Sequence, residues 1–201
     1  FDAGFSVIAR GEGDTYPYSS YKHTTFTGLG YGIYTTKGTD GKPYIVKQAV
    51  FEDCGVGIRN VQVAGATILF NTFLLGKVPY IYVPIIDIGE PGEPIDTLAP
   101  PNQYGVVFES AVAGFTCQEN LFMNKYGSEE LKTVGVFCKN MGFSNKTIRK
   151  NTFNGLNIGN LSNENNGLSM SGMAQGLYYD CNINLNVLDN DFSVPNGTIR
   201  P

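Results

Sequence analysis

GVGIRNVQVAGATILFNTF, residues 55–73, carries the pattern on which the fold turns. It opens on a glycine followed by an apolar residue, Gly57-Ile58, and closes on Asn71, one further residue, and Phe73. The closing triplet returns at Asn120 and Phe122, at Asn151 and Phe153, and at Asn190 and Phe192, with weaker relatives ending at Phe51 and Phe26. The opening pair returns as Gly32-Ile33, Gly105-Val106, Gly135-Val136 and Gly176-Leu177.

The spacings between these marks separate a constant half from an elastic half. From Gly to the next Asn the interval is 14 (57 to 71), 15 (105 to 120), 16 (135 to 151) and 14 (176 to 190). From Phe to the next Gly it is 6 (26 to 32), 6 (51 to 57), 32 (73 to 105), 13 (122 to 135) and 23 (153 to 176). A solenoid predicts this, since each coil must match its neighbours where strands pair and is free to bulge at a corner.

Three residues before each Asn stand Ile68, Cys117, Ile148 and Val187, and two after stand the Phe residues. In parallel strands held in register these become inward columns with a repeat of about 4.8 Å. The Asn is expected at a sharp turn, in the left-handed backbone region, with its amide stacked as a ladder between coils. Helical periodicity is missing, so helix-pair repeats are excluded. A β-propeller or sandwich leaves the one-sided insertions unexplained. The expected fold is all-β: a right-handed parallel β-helix, a solenoid of three-strand coils with loop insertions at one corner. It forms a single domain over 1–201, with 74–104 as the long inserted loop.

Composition agrees with one folded domain: 201 residues, 42% hydrophobic and 16% charged. A net charge of −4 offers no basic surface to nucleic acid or anionic membrane. No apolar run approaches the roughly 18 residues of a membrane span. The start at Phe1 rather than Met, and the ending VPNGTIRP (194–201), which reads as the beginning of another turn, point to a piece of a longer chain. The rest of that chain is then an expected partner. Cys54, Cys117, Cys138 and Cys181 lack metal-site spacing and read as buried, unpaired thiols.

The repeats resemble the pectin-lyase-like superfamily of right-handed parallel β-helices, whose generic repeat runs Gly-Ile-x…Ile-x-x-Asn-x-Phe. The resemblance covers residues 20 to 194, and the clearest copies are 55–73 and GLYYDCNINLNVLDNDF at 176–192. It implies three parallel sheets along the solenoid and long loops from one turn forming the ligand face. Repeats of this kind also resemble those of secreted or surface-anchored proteins of Bacteroidota, which implies an extracellular or cell-surface location.

The resemblance does not bring the superfamily's catalytic equipment. A polygalacturonase-like site needs an Asn-Thr-Asp segment, an Asp-Asp pair and a Gly-His-Gly; the chain has Asn151-Thr152-Phe153 instead, no Asp-Asp pair, and His23 as its one histidine. Two carboxyls flanking a cleft are the requirement for glycoside hydrolysis. The sequence pairs Asp189 with Asp191 and Glu129 with Glu130, but turn chemistry explains the first and a solvated loop the second. A lyase requires clustered calcium-binding carboxylates beside a base; Arg149, Lys150 and Lys139 offer bases without that cluster. The sequons at Asn145, Asn160 and Asn196 are triplets that an Asn- and Thr-rich chain generates by chance.

Loops 74–104, 123–134 and 154–175 are expected on one side of the solenoid, where a rigid scaffold displays binding residues. The first carries Tyr80, Tyr82, Asp87, Glu90, Glu93, Asp96 and Tyr104; the others add Tyr126, Asn163 and Glu164. Tyrosines beside carboxylates and amides suit a sugar, whose C–H face stacks on a ring while its hydroxyls meet fixed acceptors. An alternative for Tyr80 and Tyr82 is a small hairpin packed on the solenoid. No cofactor is expected; Ca²⁺ stays open for the carboxylate-rich loop, although its spacing matches no calcium loop. The functional expectation is a non-catalytic extracellular β-helix module, an adhesin-like scaffold whose loops bind glycan or another partner. The alternative is a polysaccharide lyase or glycoside hydrolase.

Overall fold

A computed structural model describes residues 23–36, 43–77, 102–111, 114–127, 131–142, 146–163, 167–170 and 173–193. The first coil consists of β1 (Thr24–Thr27), β2 (Tyr31–Thr36) and β3 (Tyr44–Lys47), and the second of β4 (Ala49–Glu52), β5 (Val56–Val61) and β6 (Ala66–Leu69). The third is β7 (Thr72–Leu75), β8 (Asn102–Glu109) and β9 (Thr116–Gln118), and the fourth β10 (Leu121–Asn124), β11 (Lys132–Lys139) and β12 (Lys146–Arg149). The fifth holds β13 (Thr152–Asn154), β14 (Ile158–Asn163) and the hairpin β15 (Gly167–Met170) and β16 (Met173–Asp180); β17 (Ile183–Leu185) and β18 (Asn190–Ser193) follow. Among the described residues no helix is long and apolar enough to cross a membrane.

Corresponding strands of successive coils pair in parallel and build three sheets. Sheet A is β1-β4-β7-β10-β13-β17, sheet B is β2-β5-β8-β11-β14-β18, and sheet C is β3-β6-β9-β12-β16, with β15 added antiparallel to β16. The chain is a parallel β-helix, as its repeats predict.

The inward columns fill the solenoid. Phe26, Phe51, Phe73, Phe122 and Phe153 stack with centroids 4.9, 4.9, 4.6 and 5.0 Å apart, the spacing of the paired strands themselves. Sheet C contributes Val46, Ile68, Cys117 and Ile148, all in the core. The glycine signature belongs to the same packing unit. A Cβ on Gly105 would lie 2.4 Å from the Phe122 ring and 2.7 Å from the Gly135 carbonyl, and Gly57 and Gly135 are crowded in the same way. Only a residue without a side chain lets the next Phe lie flat over this strand.

The ladder of amides is present, with one change in its logic. The Asn71 Oδ1 accepts from the Ala49 N–H (2.9 Å), Asn120 Oδ1 from the Asn71 N–H (2.9 Å), Asn151 Oδ1 from the Asn120 N–H (3.0 Å) and Asn182 Oδ1 from the Asn151 N–H (3.0 Å). Each Nδ2 donates to a sheet C carbonyl of the coil before. The left-handed residue is the one preceding each Asn: Phe70, Glu119, Lys150 and Cys181 have φ between 51° and 55°, and Gln48, before Ala49 at the first such corner, has φ 58°. The Asn itself is needed for its amide.

The last repeat is out of step with the sequence expectation. Asn182, not Asn190, continues the ladder, and Tyr179, not Val187, follows Ile148 in sheet C. Asn184 takes the place above Phe153, whereas Asn190 and Phe192 belong to β18 of sheet B. Gly159 continues the glycine column, its carbonyl lying against Gly135, while Gly176 sits in β16. The 14-residue interval from Gly176 to Asn190 imitates a repeat in a coil whose extra residues lie elsewhere.

Those residues enter at a second corner. After β13 the chain turns at once through Gly155–Asn157 into β14, so no insertion lies there; the additional chain follows β14 and includes β15. Long connections therefore occur on both edges of sheet B: 76–101 and 125–131 between sheets A and B, and the β15 hairpin between B and C. The expected single insertion corner becomes two.

Cys54, Cys117 and Cys138 are buried free thiols as expected, whereas Cys181 is exposed because it occupies the left-handed corner position. Asn160 points inward and is buried, which removes its triplet as a glycan acceptor in the folded chain.

Candidate functional site

Strand alternation after each glycine decides what sheet B shows to solvent. Ile58, Val106 and Val136 enter the core, so the next residue in each strand, Arg59, Val107 and Phe137, faces out. In-register pairing turns these into columns running along the solenoid. One is Tyr31-Val56-Tyr104, a second is Tyr34-Arg59-Val107-Phe137, and a third is Val61-Glu109-Lys139-Asn163.

A groove of about 160 Å³ lies on this face, lined by Val56, Arg59, Tyr104, Val107, Glu109, Phe137, Lys139 and Asn163. Val56, Arg59 and Val107 form a buried floor, and the Tyr104 and Phe137 rings stack with centroids 5.7 Å apart and planes 28° from parallel. Beside them Arg59 clamps Glu109: Nε donates to Oε1 and one terminal nitrogen to Oε2, both at 3.1 Å. The other terminal nitrogen donates to the Tyr31 hydroxyl at 3.0 Å, and the guanidinium lies 5.7 and 5.6 Å from the Tyr31 and Tyr34 ring centroids.

Burial works against the charge on Arg59, but the hydrogen bonds and charge of Glu109 outweigh it and hold the guanidinium above its ordinary pKa. The pair is a fixed, planar polar element with Glu109 lone pairs left for hydroxyl donors. The face therefore offers flat apolar surfaces and oriented polar groups together, the combination that carbohydrate recognition requires.

Two residues expected from sequence meet in this groove, Tyr104 from the end of the long insertion and Asn163 from the end of β14. Tyr126 does not. It sits at the corner between sheets A and B, with 46% of its surface exposed. Its hydroxyl donates to Asp53 Oδ2 at 3.3 Å, and the Lys77 and Lys125 ammonium groups lie 5.6 and 5.2 Å from its ring. Lys125 also pairs with Glu52 and Lys77 with Asp53, so the ring is committed to an ion-pair cluster. Tyr80, Tyr82, Asp87, Glu90, Glu93, Asp96 and Glu164 lie outside the described residues. Among the described residues no three His, Cys, Asp or Glu side chains gather as a metal site.

The insertion that carries most of those residues is anchored beside the groove. Gln103 Oε1 accepts from the Gly76 N–H at 2.5 Å, while its Nε2 donates to the carbonyls of Lys77 (2.9 Å) and Cys54 (2.8 Å). One buried side chain thus joins the two ends of the 78–101 segment and ties them to the previous coil. Thr133 and Asn157 hold the equivalent places in the next two coils, where the Asn157 Oδ1 accepts from the Thr133 N–H at 2.9 Å.

Arg59, Glu109 and Phe137 carry no loop signal in the sequence, and Lys139 stands out there only as a candidate base. Their signal lies at fixed offsets from the glycine column: the second residue after Gly32, Gly57, Gly105 and Gly135 gives Tyr34, Arg59, Val107 and Phe137. The fourth after Gly105, Gly135 and Gly159 gives Glu109, Lys139 and Asn163.

Asp189 is structural, as its turn position suggested: its N–H donates to the Asn157 carbonyl at 2.9 Å and its Oδ2 accepts from Asn157 Nδ2 at 3.4 Å. No known protein family, curated protein or solved structure matches the chain.

Proposed function

We propose that this chain is a non-catalytic, extracellular or cell-surface β-helix module, adhesin-like, that binds glycan on the outer face of sheet B between its two inserted edges. The observation that carries the reading is the groove itself, an aromatic pair, Tyr104 and Phe137, set beside the oriented Arg59–Glu109 pair and the polar side chains of Lys139 and Asn163. Rings supply area at low entropic cost, and the polar rail selects for hydroxyl-bearing partners.

Glu109 is the one carboxylate among the described lining residues, and both its oxygens are engaged by Arg59. Two-carboxylate glycoside hydrolysis requires a free acid and a free base or nucleophile, so these residues support binding over cleavage. The pectin-lyase-like kinship and the surface location belong to this proposal and are supported by the repeats alone.

The test is binding of the purified chain to a panel of neutral and acidic polysaccharides, with product release followed in the same wells. Saturable binding without products, weakened about tenfold or more by Tyr104→Ala, is the expected result. Product release would transfer the chain to the enzyme class, and the absence of binding across the panel would remove the glycan reading.

A further inference from the structure

The groove is one part of a longer surface on the same sheet face. Tyr31 and Tyr34 form a second aromatic pair, 5.3 Å between centroids and 31° from parallel, close to the geometry of Tyr104 with Phe137. The register places Tyr31 two coils from Tyr104 in one outward column, through Val56. The Arg59–Glu109 pair lies between the two aromatic pairs, with its guanidinium against the Tyr31 and Tyr34 rings. Tyr34 is 46% exposed, so the second platform is open to a ligand.

We infer that sheet B binds an extended, unbranched β-1,4-linked polysaccharide lying parallel to the solenoid axis, with alternate sugars stacked on the Tyr31–Tyr34 and Tyr104–Phe137 pairs. The inference rests on the glycan reading above and narrows it to a ligand class and a direction. The coil repeat of about 4.8 Å is close to the advance per sugar, about 5 Å, of a flat chain linked through equatorial positions. Two coils therefore match two sugars, and in such a ribbon every second sugar presents the same face to the protein. The sugar between the platforms lies over Arg59 and Glu109, where its hydroxyls meet a fixed donor and acceptor. An α-1,4-linked chain coils, and its third sugar turns away from the second platform.

The experiment is titration calorimetry of the whole chain with cello- and manno-oligosaccharides of two, four and six sugars, with malto-oligosaccharides of the same lengths beside them. Affinity is expected to rise about tenfold or more between two and four sugars in the β-1,4 series, with little gain in the malto series. Tyr34→Ala should remove that gain and leave disaccharide binding in place; Tyr104→Ala should weaken every length. Circular dichroism checks that both variants are folded. Affinity independent of length, or equal gains in the malto series, would overturn the axial arrangement while the glycan reading stands. Absence of binding to every oligosaccharide and every polysaccharide of the panel would overturn both.

Discussion

The corner between sheets C and A and the corners on either side of sheet B obey different rules. In the first, Phe70-Asn71, Glu119-Asn120, Lys150-Asn151 and Cys181-Asn182 each make the whole connection between strands. One residue takes the left-handed turn, and the next feeds its amide into the ladder. Beside sheet B the connections run from the short Asp53–Gly55 to the long 76–101, with no common residue pattern. Both kinds of corner bond to neighbouring coils through the backbone, as Asp53, Gln62, Ser110 and Asn140 do beside sheet B. Only the corner between sheets C and A adds a buried Asn side chain, whose reach to the neighbouring coil fixes the length of the turn. The solenoid is rigid along one edge and variable along the two edges that border the groove.

The largest expected effect lies on the rigid side. Phe153→Ala removes a fully buried ring from the last place in the Phe stack, beneath Asn184, and should destabilise by about 3–5 kcal/mol, measured by chemical denaturation. Asn151→Ala comes next, by about 2–4 kcal/mol, because it strips partners from the Asn120 N–H, the Asn120 amide and the Cys117 carbonyl, all buried. A cost below about 1 kcal/mol for Asn151→Ala would mean that the ladder accompanies the turn without holding it.

The interior also sets a pH limit. Burial pushes the Tyr44 hydroxyl up to about 12, with its hydrogen bond to Thr35 offsetting only part of the effect, and burial raises the Cys117 and Cys138 thiols. For groups raised in the folded state, the unfolded chain releases protons first. Their stabilisation is full below the unfolded values, near 9.0 for the thiols and 10.0 for Tyr44, and falls as pH rises further. Tyr44 alone should lose about 2–3 kcal/mol between pH 10 and 12, and Tyr44→Phe should flatten that part of a stability-against-pH curve.

The smallest effect is expected on the elastic side. Deleting residues within 84–98 should cost less than about 1 kcal/mol, since loop length enters stability only logarithmically. A loss comparable to that of Phe153→Ala would erase the distinction between the corners.

The repeat was legible because the Phe and Gly columns are one packing event written at two places in each coil. It failed in the fifth coil, where extra residues follow β14 and Asn184 replaces Phe at the end of the stack, so a chance spacing looked more regular than the true one. Of the site, Tyr104 and Asn163 were legible because they lie beside long connections, Tyr104 just after one and Asn163 just before another. Arg59, Glu109 and Phe137 were not, since a residue on an outward strand face shows its neighbours only once the register between coils is known. Tyr126 was misplaced because its exposed ring gives no sign that Lys77, Lys125 and Asp53 gather around it.

The contrast between corners is tested most directly by inserting the same Gly-Ser pair at two points and comparing stability by urea denaturation. Between Lys150 and Asn151 the insertion should break the ladder and cost several kcal/mol, about the loss of two or more buried hydrogen bonds. Between Tyr126 and Gly127 it should cost less than about 1 kcal/mol. Equal costs at the two points would contradict the division into a fixed edge and elastic edges.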